Sequence, residues 1–135
     1  MYEAYEYVQR YGILLEQDYV GYKQHQGQCD SDQVRKNWHF KNTGMEEVDG
    51  MSNEEMKHVL MRQPMGAGIF APGIMQSYNK GILTEEYLHC SKGSKEVNHG
   101  ITVVGFGTTT STDDVRGVCE EYWIIRNSWG ANWGE

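Results

Sequence analysis

The chain has five histidines and three cysteines, side chains that can move protons, ligate metals or act as nucleophiles. His25, His39, His58 and His89 sit in polar surroundings without partners at telling spacing, and read as surface residues. His99 has a different setting: Gly100 follows it, and an apolar run over 101–106 begins there. A second such run, Tyr122-Trp123-Ile124-Ile125, leads into Asn127, Ser128 and Trp129. Both runs are rich in β-branched and aromatic residues and end at glycine, so both read as strands. Two neighbouring antiparallel strands bring the start of one beside the end of the other, so His99 and Asn127 could touch. Two chemistries are open to such a histidine: proton transfer, and metal ligation. Zinc held by His89, Cys90 and His99 would need a fourth ligand, and no Cys-x-x-Cys or second close pair supplies one; no metal or cofactor is expected.

The rest of the chain must position these residues. Its 135 residues suggest one domain or part of one. A hydrophobic share of 39% and an aromatic share of 12% are those of a globular chain, not a disordered tail. The formal charge of −7 argues against a nucleic-acid-binding surface. No apolar run is long enough to span a membrane. No signal peptide opens the chain, because Met1-Tyr2-Glu3 is neither basic nor followed by an apolar core. An odd number of cysteines, Cys29, Cys90 and Cys119, leaves at least one thiol unpaired within the chain.

Ala4, Tyr7, Val8 and Tyr11 share one helical face, with Gly12 as the C-cap. Residues 13–29 read as a surface loop, and 30–49 as polar and weakly patterned, with a short strand around Trp38 and Phe40. Ser52-Asn53-Glu54-Glu55 is a capping box, Met56, Val59 and Leu60 give the apolar face, and Pro64 stops the helix. Gly66 to Phe70 reads as a buried strand whose glycines mark either a close backbone or ligand approach or tight packing against a bulky neighbour. Gly73 to Tyr78 suggests a short helix and Gly81-Ile82-Leu83 a short strand. Thr108 to Glu121 reads as a long polar hairpin connection. The order predicts an α+β fold with an antiparallel sheet.

H-G-x-x-V-V-G-F-G at 99–107, followed by Y-W-x-x-x-N-S-W-G-x-x-W-G-E at 122–135, resembles the C-terminal half of papain-like cysteine peptidases of cathepsin L type. Weaker resemblance runs back to the first residues. It implies a papain-like fold, mainly the antiparallel-sheet right lobe over 13–135, with a helix of the left lobe over 1–12. The segment would be incomplete at both ends. It implies a cysteine-type endopeptidase in which His99 is the general base and Asn127 its orienter, with Trp129 shielding their hydrogen bond. Gly68 would line the S2 pocket, Asn98 and Gly100 would border the subsites, and Trp133 would lie nearer the primed side. Cys29 and Cys90 would form disulfides with residues outside the chain; Cys119 has no counterpart.

The family's nucleophile pattern, C-G-[SA]-C-[WY], is absent from this sequence. The usual spacing to the histidine would put that cysteine about 30 to 50 residues before Met1. The resemblance further implies protein or peptide substrates, cystatin-like inhibitors, and a lysosomal, vacuolar or secreted location. The alternative is a non-catalytic truncated product, or a pseudoenzyme that binds a partner.

Overall fold

The computed structural model describes residues 1–19, 21–89, 96–109 and 120–135. They form two compact units, Met1–Asp49 and Gly50–Glu135.

In the first unit, helix α1 spans Tyr2–Tyr11 and ends on Gly12, whose N–H bonds Val8 O. Gly12 has φ +86°, and a Cβ there would stand 2.5 Å from Trp38 Cβ, so glycine is required on both counts. Ile13 pairs with Phe40 in a single antiparallel bridge, and the short strand expected around Trp38 goes no further than that. The expected loop over 13–29 contains one 3₁₀ turn, Glu16–Asp18. Helix α2, Ser31–Asn37, lies in the stretch read as polar and weakly patterned. Of its seven residues only Val34 is apolar and buried, so there is no apolar period to detect. Its start is set by Asp30, whose side chain accepts from Gln33 N at 3.1 Å.

In the second unit, helix α3 spans Asn53–Leu60 behind the predicted capping box. Ser52 Oγ accepts from Glu55 N, and the Glu55 carboxylate accepts from Ser52 N at 2.8 Å. The carboxylate also accepts from Ser52 Oγ at 2.7 Å, and the bonds it accepts from Ser52, the backbone one first, hold it below the usual carboxylate range. A depressed folded-state value means that the contribution is present at neutral pH and fades as the pH falls through the carboxylate range. Ser52→Ala is therefore expected to lower stability by about 1 kcal/mol at pH 7, and by less at pH 3. Denaturant titrations of the two proteins at both pH values measure it, and an equal difference at both would contradict the capping account.

Strands β1 (Met65–Ile69), β2 (His99–Thr108) and β3 (Glu121–Arg126) form an antiparallel sheet in that order. A 3₁₀ turn, Gly73–Ser77, and a single-turn helix α4, Glu85–Leu88, fill the β1–β2 connection. The expected α+β class with an antiparallel sheet is what the chain adopts. Three local expectations need correction. β1 is not a buried strand: Met65, Ala67 and Ile69 are half-buried, but Gly66 and Gly68 on the other face are exposed. Gly81-Ile82-Leu83 is not a strand, because Gly81 takes φ +87° and turns the chain. The expected helix at 73–78 is present only as the 3₁₀ turn. Most of the long connection between β2 and β3 lies outside the described residues.

The ladder between β2 and β3 slips by one residue at Val104. Thr102 and Val103 face Arg126 and Ile125, whereas Gly105 faces Ile124. Val104 is the extra residue of a bulge. One face of the sheet carries His99, Ile101, Val103 and Ile125; Ile101 is buried, at 6% exposure.

Candidate active site

The site grows out of that register. Val103 faces Ile125 and Thr102 faces Arg126, so the same pairing continued past β3 puts Asn127 opposite Ile101 and Trp129 opposite His99. Opposed side chains share a face. Asn127 and Trp129 therefore rise on the face that carries His99. Without the bulge Asn127 would fall opposite Thr102 and point away from His99.

The contact is direct. His99 Nε2 lies 2.9 Å from Asn127 Oδ1, with both residues half-buried. The same Oδ1 accepts from the backbone N–H of Ser128 at 2.7 Å. A backbone N–H can only donate, so the atom facing it must be the amide oxygen. Facing that oxygen, Nε2 must carry the hydrogen. In the neutral ring the lone pair is then on Nδ1, which has no hydrogen bond among the described residues. Asn127 Nδ2 is buried and has no partner among the described residues. The amide is thus held for its oxygen, which is satisfied twice, and not for its nitrogen.

Trp129 packs against the His99 ring. Its ring centroid is 5.0 Å from that of His99, with the planes 34° apart. Trp133 meets Trp129 edge to face at 5.1 Å and 82°, and donates its indole N–H to Met75 O at 2.9 Å.

Asn98 makes its contacts with the protein itself. Its Oδ1 accepts from Ala71 N at 2.8 Å, its Nδ2 donates to Ala71 O at 3.3 Å, and its own N–H bonds Ile69 O. The side chain copies a strand neighbour and extends the β1–β2 ladder to the residue before His99. Gly68 and Gly100 face each other across that ladder on the exposed side. A Cβ on Gly68 would stand 2.6 Å from Val97 Cγ1, so Gly68 does meet a bulky neighbour. Val97, Tyr78, Met75 and Glu135 were not singled out in the sequence. Only Glu135, as the last letter of the 122–135 run, carried any signal there.

The sequence matches the profile of the papain family cysteine protease over residues 1–135. The chain belongs to the papain family. Among curated members, it is 34% identical to vignain of Phaseolus vulgaris over 137 residues, covering 100% of this chain and 34% of that one. It is 30% identical to fruit bromelain of Ananas comosus, over 98% of this chain and 34% of the other. To a low-temperature-induced cysteine proteinase of Solanum lycopersicum it is 36% identical, over 96% and 33%. The chain spans about a third of the length of these curated relatives.

Within this papain-family segment Cys29 is a free, exposed thiol in the first unit, 3.7 Å from the Tyr7 hydroxyl. That contact, followed by burial, raises the Tyr7 hydroxyl above its ordinary range. Cys90 and Cys119 lie outside the described residues. His39, expected on the surface, is exposed and lies 3.0 Å from an Asp18 carboxylate oxygen. No group of His, Cys, Asp and Glu that could hold a metal ion occurs among the described residues. No helix among them is long and apolar enough to cross a membrane.

Proposed function

We propose that this chain is the part of a cysteine-type endopeptidase that supplies the general base, His99, and its orienter, Asn127. The observation that carries this reading is the bond from His99 Nε2 to an amide oxygen fixed by Ser128 N–H, which leaves Nδ1 as the free base. The attacking cysteine belongs to a stretch outside these 135 residues.

In this reading Nδ1 takes the thiol proton, giving a thiolate and an imidazolium. The thiolate adds to the scissile carbonyl carbon. The tetrahedral intermediate collapses as the imidazolium protonates the leaving amine, and a thioester remains. The neutral ring then takes a proton from water, which attacks the thioester and releases the acid and the thiol. Asn127 holds the ring through both half-reactions without adding a charge, and Trp129 keeps water from their bond. Proteins and peptides are the substrates and cystatin-like proteins the inhibitors. The first twelve residues belong to the left lobe and the remainder mostly to the right, and the compartment is a lysosome, a vacuole or the outside of the cell. Gly68 and Gly100 border the S2 subsite, beside the Val97 side chain, and Trp133 lies toward the primed side.

The test compares the 135-residue chain with a peptidase that carries it together with its preceding stretch. The isolated chain should not turn over a fluorogenic dipeptide amide. In the longer protein an active-site-directed epoxide should label a cysteine outside this segment and abolish turnover. Inactivating label on Cys29, Cys90 or Cys119 would sink the assignment. A longer protein that never turns over would favour a binding role instead.

A further inference from the structure

The end of the chain is fastened to the turn at 78–81 by a cluster of bonds that the reaction does not use. The Glu135 carboxylate accepts from the Tyr78 hydroxyl at 3.1 Å and from Gly81 N at 3.3 Å through one oxygen. The same hydroxyl lies 2.7 Å from Gly81 O. Gly134 N bonds Tyr78 O at 3.3 Å, so Tyr78 is held by backbone and side chain at once. The Tyr78 ring packs on Trp133, centroids 5.3 Å apart and planes at 50°. Trp133 is held on its other side by its bond to Met75 O, in a residue only 1% exposed.

From Tyr78 the ring contacts run without a gap through Trp133 and Trp129 to His99. An indole has a single N–H to fix it by hydrogen bonding, and Trp129 makes no hydrogen bond through its own among the described residues. Its plane is set by its two ring neighbours, and Trp133 in turn by Met75 O and Tyr78. Among the described residues the polar pins beyond Trp129 in this row are the Trp133 bond to Met75 O and the cluster at Tyr78. Burial, then the bond to Glu135, raises the Tyr78 hydroxyl above its ordinary range, so it stays a protonated donor across the working pH of proteins.

We propose that Tyr78 and Glu135 are positioning residues of this site: their clasp fixes Trp133, and through it Trp129, so that the His99–Asn127 bond stays covered. Neither residue touches substrate. The inference rests on the reading of His99 as the base, but its first readout does not. Loosening the clasp lets the indole roof tilt and water reach the bond. The ring then loses its fixed direction, which lowers kcat and leaves KM nearly unchanged, since ground-state binding is not the thing lost.

The experiment uses the peptidase that carries this segment, with isotope-labelled histidine, and four variants: Tyr78→Phe, Glu135→Ala, Glu135→Gln and His99→Ala. Tyr78→Phe keeps the ring, and Glu135→Gln keeps an amide oxygen for both donors. Tyr78→Phe and Glu135→Ala should each speed solvent exchange of the His99 Nε2 proton about tenfold and lower kcat about tenfold, with KM within about twofold. Glu135→Gln should restore both. A clasp that only stabilises the fold would lower the melting temperature and leave proton exchange and kcat unchanged, and that result overturns the proposal. So does a loss in Glu135→Gln as large as in Glu135→Ala. If His99→Ala keeps full activity, the base assignment fails, while the exchange rates still decide whether the clasp shields the bond.

Discussion

Replacing His99 by alanine in a peptidase that carries this segment lowers kcat/KM by roughly 10²–10⁴-fold or more, the range that one general acid–base step contributes. The loss is the largest expected here because in the proposed mechanism the ring acts twice, as the acid for the leaving amine and as the base for water. Nδ1 has no other partner among the described residues and Nε2 is bonded to Asn127, so no second group on the described sheet face stands ready to move the proton. Strand β2 should survive the change. His99 is its first residue, is half-buried, and pairs through its backbone with Ile69. A melting temperature within a few degrees of the parent, with activity lost, is the expected pair of results. Activity equal to the parent's would remove His99 from the mechanism.

Asn127→Ala follows with a smaller loss, roughly 10- to 100-fold, because the base remains and only its direction is freed. The amide oxygen takes two hydrogen bonds at 2.9 and 2.7 Å, and alanine takes neither. The ring is then free to turn, and Ser128 N–H loses its acceptor. Asn127→Asp separates geometry from charge. A carboxylate can accept from both His99 Nε2 and Ser128 N, so this variant should keep more activity than alanine. It also leaves no orphaned side-chain nitrogen where Asn127 Nδ2 now stands without a partner among the described residues. Parallel kcat and KM measurements on the three proteins check this. If aspartate is no better than alanine, or alanine loses as much as His99→Ala, orientation through the oxygen is not what Asn127 provides.

Several elements could be read from local chemistry because local chemistry fixes them. Ser52 and Glu55 lie within one helical turn, and their two reciprocal bonds need no tertiary partner. Gly12 marks the end of α1 because its backbone needs positive φ, which is itself a local property. The runs that open at His99 and at Tyr122 announce strands through composition alone. Where packing decides, the sequence is silent. Helix α2 contributes one buried apolar side chain, so nothing periodic betrays it. Gly81-Ile82-Leu83 has strand composition but pairs with no strand among the described residues.

The candidate site divides the same way. By itself the sequence determined the family and the candidate residues: a histidine opening one β-rich run, an asparagine and two tryptophans closing the next. It also determined that two such runs, paired antiparallel, could bring histidine and asparagine together. Only the tertiary structure decided that they share a face. That depends on the bulge at Val104, since side chains alternate along a strand and a slip of one residue reverses every one that follows. The tautomer was likewise beyond the sequence, because it follows from where Ser128 N–H points. So was the clasp of Tyr78 and Glu135: 57 residues separate them, and no local period links two side chains that meet only after the sheet has formed.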